Sequence, residues 1–123
     1  MRDRVVPPAE SRIEIVCRGG VWIVTVHGEH DIATRPSLQE ELDRVSAAGG
    51  RIVVDLSPAS FLDSSVIRAV ATPAAGDGAL PQVAGVVAPE GTFARRLAGL
   101  VGLDAVVPVH DTLDEALGGG SRR

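Results

Sequence analysis

Residues 51–71, RIVVDLSPASFLDSSVIRAVA, constrain the fold more than any other stretch of the chain. Ile52-Val53-Val54 is a β-branched run ending at Asp55-Leu56, with Gly49-Gly50 before it and Ser57-Pro58 after. A short run that is apolar at successive positions reads as a strand covered on both faces. A turn follows. Asp63-Ser64-Ser65 then leads into Val66, Ile67, Val70 and Ala71, whose spacing is helical, and Asp63 is a suitable N-cap. Two hydroxyls thus fall in the first turn of a helix, just beyond a central strand. Unsatisfied N–H groups and the helix dipole make such a place tolerant of an anion, for example a phosphoryl group.

The flanking sequence supplies the rest of an α/β domain. Ile13, Ile15 and Cys17 alternate with Glu14 and Val16, so Cys17 is expected to be a small buried hydrophobe. Arg18-Gly19-Gly20 is a turn, and Val21 to Val26 forms the second arm of a hairpin. A polar loop, His27 to Asp31, precedes a helix capped by Thr34, with Leu38, Leu42 and Val45 on one face and Pro36 in its first turn. Gly49-Gly50 closes it. Pro73 predicts that the Asp63 helix stops or kinks near Thr72, and residues 74–81 read as a loop. Gln82 to Val87 is a strand, and Pro89 to Thr92 starts a helix with Phe93, Leu97 and Leu100 on one face. Ala105 to Val109 is a last strand, and Asp111 caps a helix from Thr112 to Leu117. Trp22 fits either the core or a partner contact, and Arg95-Arg96 and Arg122-Arg123 read as solvated charges. The order β-β-α-β-α-β-α-β-α implies a mixed, mostly parallel sheet of about five strands with about four helices. Residues 1–11 read as a flexible lead, 12–117 as the domain and 118–123 as a flexible tail.

Composition narrows the function. The 123 residues suffice for one domain, and 45% are hydrophobic, yet the chain holds one Trp, two Phe and no Tyr. Few rings are available to stack on bases, and a net charge of −4 argues against nucleic acid or an anionic membrane as partner. The single cysteine, Cys17, permits no internal disulfide and points to a reducing compartment. The N-terminal residues lack the apolar core of a signal peptide, and no apolar run approaches the roughly 20 residues that span a bilayer. A cytoplasmic protein is expected.

Enzyme chemistry finds little support. A nucleophilic Ser65 would need a base oriented by a third group. No G-x-S-x-G elbow is present, and His110 cannot be set against Ser65 from sequence. A glycine-rich phosphate loop is also missing. His27, His30 and Asp31 are ligand types for a metal, but no third histidine or cysteine cluster accompanies them. No catalytic residue, metal or cofactor is therefore assigned.

Four runs carry a family resemblance: Gly28-Glu29-His30-Asp31, Asp55-Leu56-Ser57, Phe61-Leu62-Asp63-Ser64-Ser65 and Leu100-Val101-Gly102-Leu103. In this order and context the chain resembles a STAS domain of the bacterial anti-sigma factor antagonist type, from about Ile13 to Leu117. The resemblance implies helices packed mainly on one face of the sheet and a binding role, not a catalytic one. It implies a partner that is both an anti-sigma factor and a serine kinase, which phosphorylates the antagonist and thereby releases it, and a phosphatase that reverses the step. The matching hydroxyl is Ser65, with Ser64 the second choice. Asp31, Asp63, Ser64, Ser65 and Val66 would form the partner surface. The family usually has glycine where this chain has Val66, which would slow phosphorylation, narrow the choice of partner or simply pack inward. A phosphate at Ser65 adds roughly −1.5 to −2 charges beside Asp63 and Asp31 and so acts as an off-switch. The bland readings are that Asp63 only caps the helix, Ser64 is structural and Asp31 only closes its own turn. A monomer or weak homodimer is expected. The alternative function is an interaction or ligand-sensing module without phosphorylation.

Overall fold

The Gly19-Gly20 turn folds β1 (Arg12–Arg18) back on β2 (Val21–His30) as an antiparallel hairpin, in a computed structural model that describes residues 11–71 and 83–118. Helix α1 (Arg35–Ala48) returns the chain to β3 (Arg51–Asp55), which lies parallel to β2. There follow a short strand β4 (Ala59–Leu62), α2 (Ser64–Ala71), β5 (Val83–Val87) and α3 (Phe93–Val101). A 3-10 turn at Leu103–Ala105, β6 (Val109–His110) and α4 (Leu113–Ala116) complete the described chain. The sheet order is β1-β2-β3-β5-β6, with β4 paired to β2. Every pairing except β1–β2 is parallel. The sheet is mixed and mostly parallel, as expected, with six strands rather than about five.

The β3 side chains explain the layering. Ile52 and Val54 join Val24, Val26, Val86 and the apolar stripes of α1, α2 and α3 in one cluster. Val53 points the other way, into a smaller cluster with Val87 and Ala116 of α4. Three helices thus cover one face and a single turn of helix covers part of the other. Burying each Val, Leu or Ile of the larger cluster stabilises the fold by about 1.5–3 kcal/mol relative to exposure. The α1 stripe is the one read from the sequence: Leu38, Leu42 and Val45 are its buried residues.

Several expectations give way. Residues 27–30 are not a loop: β2 runs on to His30 and pairs there with β4, a strand where a turn is expected from the sequence. Cys17 is exposed, because the strand has passed the end of the helix that covers Ile13 and Ile15. On α3 the buried residues are Ala94 and Ala98, whereas Leu100 is 77% exposed. Small alanines bring that helix close to its neighbours and turn the bulky Phe93 and Leu100 outward. Pro108, which lacks an N–H, precedes a last strand of only two residues, and Val106 stays outside it. Thr112, not Asp111, caps α4 by accepting from the Glu115 N–H at 3.1 Å. Asp111 instead accepts from the Glu90 N–H at 3.0 Å and from Arg95 Nη1 at 2.9 Å. Arg95 also donates to the Ala88 carbonyl at 2.8 Å, so it is a tether and not a merely solvated charge. Trp22 is half-buried against the core and donates to the Gly49 carbonyl at 3.1 Å. The expected stop at Thr72 and Pro73, the loop 74–81, residues 1–10 and residues 119–123 lie outside the described residues.

Gly28 marks where β2 changes partners. Its φ is +83°, the register shifts between Gly28 and Glu29, and its N–H donates to the Pro58 carbonyl at 3.1 Å. A bulge with positive φ is a glycine position. Gly28→Ala is expected to destabilise the protein by about 1–2 kcal/mol, read from urea unfolding midpoints. An unchanged midpoint would show that the bulge relaxes freely.

Candidate functional site

Two aspartates meet at one end of the sheet because β2 and β4 end together. His30 is the register partner of Leu62, and the Asp63 N–H donates to the His30 carbonyl at 3.0 Å. Asp31 and Asp63, the residues that follow the paired strand ends, therefore leave the sheet at the same edge, the rim. Both backbones then turn into helices, Asp31 toward α1 and Asp63 directly into α2.

His30 fixes the first of these turns. It is the buried polar residue among the described residues, 2% exposed. Its Nε2 lies 3.0 Å from the His27 carbonyl, and its Nδ1 lies 3.1 Å from Thr34 Oγ1. A carbonyl only accepts, so Nε2 carries a proton, while the single hydroxyl proton of Thr34 is shared between Nδ1 and the Asp31 carbonyl, 3.2 Å away. Thr34 Oγ1 also accepts from the Asp31 N–H at 3.0 Å. Thr34 thus occupies the N-cap position of α1 without a side-chain cap bond; its hydroxyl organises the preceding loop instead. Asp31 Oδ1 accepts from the Ala33 N–H at 2.9 Å, the turn-closing role that had been its bland reading. Asp31 is exposed nonetheless. In the sequence His30 belongs to the Gly28–Asp31 run and is a metal ligand type, and nothing in the chain's pattern distinguishes a buried histidine from an exposed one. Among the described residues no group of three or more His, Cys, Asp or Glu is placed to hold a metal ion.

Asp63 is the N-cap of α2. Its Oδ1 accepts from the Ser65 N–H at 2.8 Å, and its carbonyl accepts from the Val66 and Ile67 N–H groups at 2.9 and 3.3 Å. The Ser65 N–H holds the carboxyl below the ordinary carboxylate range. The nearby Ser65 hydroxyl adds in the same sense without reaching hydrogen-bond geometry, and the positive charges of Arg35 and Arg68 contribute further. The rim is therefore not purely acidic, as the sequence had suggested: two guanidinium groups act on the same carboxylate.

The serines and Val66 diverge from expectation. Ser65 is in the first turn of α2, but its hydroxyl oxygen has no contact with solvent and no hydrogen-bond partner. The oxygen that the resemblance marks for phosphorylation is thus enclosed in this structure. Ser64 is half-buried, and Val66 is completely buried in the main core. Val66 thus cannot belong to a partner surface in this conformation; of its three readings, inward packing is the one the fold adopts. Phe61 and Phe93 flank the rim instead, 43% and 41% exposed. Their rings stack with centroids 5.5 Å apart at 22°, which leaves exposed apolar area on β4 and α3.

Comparison with known proteins places this geometry. A family model of the STAS domain matches residues 12–73. The chain is 32% identical over 113 residues to the anti-sigma-F factor antagonist RsfB of Mycobacterium tuberculosis, covering 91% of each protein. The crystal structure of an anti-sigma factor antagonist from Mycobacterium paratuberculosis matches with a TM-score of 0.78 and 34% identity, over 89% of this chain and 92% of that one. The Bacillus cell fate determinant SpoIIAA in its phosphorylated form matches with a TM-score of 0.57 and 19% identity, over 89% and 97% of the two chains. That last likeness is one of fold.

Two outcomes follow from the site. Val66→Gly removes a buried side chain and slightly weakens a helix, so it should destabilise the protein by about 2–3.5 kcal/mol, measured by urea unfolding; a loss below about 1 kcal/mol would contradict the packing. Asp63 is more acidic in the folded chain than its ordinary 3.8, so it stabilises the fold above that pH. The contribution is lost as pH falls through the lowered folded value. Thermal unfolding of Asp63→Asn should accordingly show lower stability at neutral pH and a flatter acid limb than the wild type. Parallel acid limbs would remove the carboxylate from the account.

Proposed function

The chain belongs to the STAS domain family, and from that premise we propose that it is an anti-sigma factor antagonist, binding an anti-sigma factor through the Asp31–Asp63 rim and so freeing a sigma factor. The observation that carries this reading is its identity to two proteins of that description, 32% over 91% of the chain and 34% over 89%. The rim suits a protein partner. The stacked Phe61 and Phe93 supply apolar area, and exposed Asp31 and the guanidinium groups near Asp63 supply polar contacts around it. Interfaces are commonly built this way, with aromatic anchors inside a polar border. No helix among the described residues is long and apolar enough to cross a membrane.

The finer part of the proposal is a switch. The partner is a serine kinase that phosphorylates Ser65, with Ser64 the second choice, and a phosphatase reverses the step. The Ser65 hydroxyl makes no hydrogen bond, so rotation about χ1 between staggered wells breaks none, and the residue as a whole is partly exposed. That rotation is what access to the oxygen requires. The helix terminus, Arg35 and Arg68 offset part of the repulsion from Asp63. Phosphorylation then leaves α2 folded and acts at the interface, where a dianion must be desolvated against the docked partner.

The inward oxygen also favours a second reading, a binding module that needs no modification of Ser65. One experiment separates the two. Calorimetry of the anti-sigma factor with Ser65→Ala and Ser65→Asp should show full affinity for the first and at least a tenfold loss, about 1.4 kcal/mol, for the second. Equal affinities, with no phosphate on Ser64 or Ser65 after incubation with the partner and ATP, select the module without a switch. Failure of the unmodified chain to bind any anti-sigma factor overturns both readings.

A further inference from the structure

Strand β1 is an edge of the sheet: β2 lies on one side, and no described element lies along the other. An edge offers a row of unpaired N–H and C=O groups, and the hairpin register decides which residues offer them. Arg18 and Val21 flank a two-residue loop, Gly19-Gly20, with φ of 59° and 81°. This is the loop of a type I′ hairpin, whose flanking residues exchange hydrogen bonds. Arg18, Val16, Glu14 and Arg12 therefore direct their backbone groups at β2, and Ile13, Ile15 and Cys17 turn theirs to the free edge.

The side chains are divided in the same alternation. Glu14, Val16 and Arg18 share the face away from α1 and are all exposed, Val16 by 46%. Ile13 and Ile15 are half-buried on the α1 side, while Cys17, next in that row, is exposed. Beside the isoleucines an open cleft of about 360 Å³ is lined by Ile13, Ile15, Trp22, Glu41, Arg44 and Val45. One chain thus leaves an apolar row unfinished along its own edge.

We propose that a second copy of this chain completes it, pairing β1 with β1 antiparallel about a two-fold axis at Val16. With outward backbone groups facing each other, three registers overlap at least five strand residues of each copy, centred on Glu14, Ile15 or Val16. Charge decides among them. The Ile15 register sets Arg12 against Arg18 of the partner subunit twice, and the Glu14 register sets two carboxylates at the axis. The Val16 register sets Glu14 opposite the partner's Arg18, Arg18 opposite the partner's Glu14, and the two valines together. These are non-hydrogen-bonded pairs, with Cα atoms about 4.5 Å apart, so their side chains touch. Glu14 Oε1 is held by His27 Nε2 at 2.9 Å, which leaves the second oxygen for the arginine. On the other face Cys17 meets the partner's Ile15 and extends the apolar row. Such an isologous edge is self-complementary, as closed two-fold assemblies require.

Sedimentation equilibrium of the full chain tests this. The wild type should associate to a dimer, and Glu14→Arg and Arg18→Glu should each raise the dimer dissociation constant about tenfold or more. The double variant Glu14→Arg/Arg18→Glu should restore it. Independently of those charges, Val16→Cys in a Cys17→Ser background should give a disulfide-linked dimer on mild oxidation, since facing residues of such a pair are within disulfide reach. Ile15→Cys in the same background should not. A chain that stays monomeric at every concentration overturns the proposal. So does a double variant no better than the singles, or crosslinking through position 15 in preference to 16.

Discussion

Everything at the candidate site depends on two strands ending in step. The His30–Leu62 pair and the bond from the Asp63 N–H to the His30 carbonyl bring a loop and a helix start, distant in sequence, to one edge. Backbone pairing of this kind is specific to a register, because a slip of one residue exchanges buried for exposed side chains along the strand. Here a slip would move Leu62 out of the core and Asp63 toward it. The burial of Leu62, Val66 and Ile67 in the main cluster therefore fixes the position of the rim as firmly as its own hydrogen bonds do.

The electrostatics of the rim are more balanced than its acidic residues suggest. Asp63 is committed to its helix, and Asp31 to its turn, each through one oxygen. Asp63 caps its helix and Asp31 closes its turn, so both carboxylates have local work whether or not a partner is present. Arg35 and Arg68 come from two different helices and act on the same group. The result is a helix start where two guanidinium groups act on one carboxylate, with an exposed aromatic pair on neighbouring elements.

The main strands and helices were legible in the sequence because their patterns are local. Leu38, Leu42 and Val45 repeat at helical spacing, and the Ile52–Val54 run is apolar at every position, so α1 and β3 could be located without coordinates. β4 could not, since Ala59–Leu62 has neither alternation nor length and exists by pairing with a strand thirty residues earlier. The same long-range cause hid His30, whose burial depends on where Thr34 is brought. On α3 the helix was foreseen and its face was not: hydrophobicity favoured Phe93 and Leu100, but close packing selected Ala94 and Ala98. At the site, Asp63 and the helix start were readable from a cap and a periodicity, whereas the direction of one hydroxyl is a rotamer, which no sequence pattern encodes.

That rotamer has a thermodynamic consequence for the folded domain. A hydroxyl enclosed without a hydrogen-bond partner carries a desolvation penalty of about 1–3 kcal/mol, offset in part here by its favourable action on the Asp63 carboxylate. Residue 65 is thus a spot where the fold holds a small reserve of instability, released whenever the oxygen finds a proton donor or acceptor. The isolated fold therefore gains little from a hydroxyl at this position.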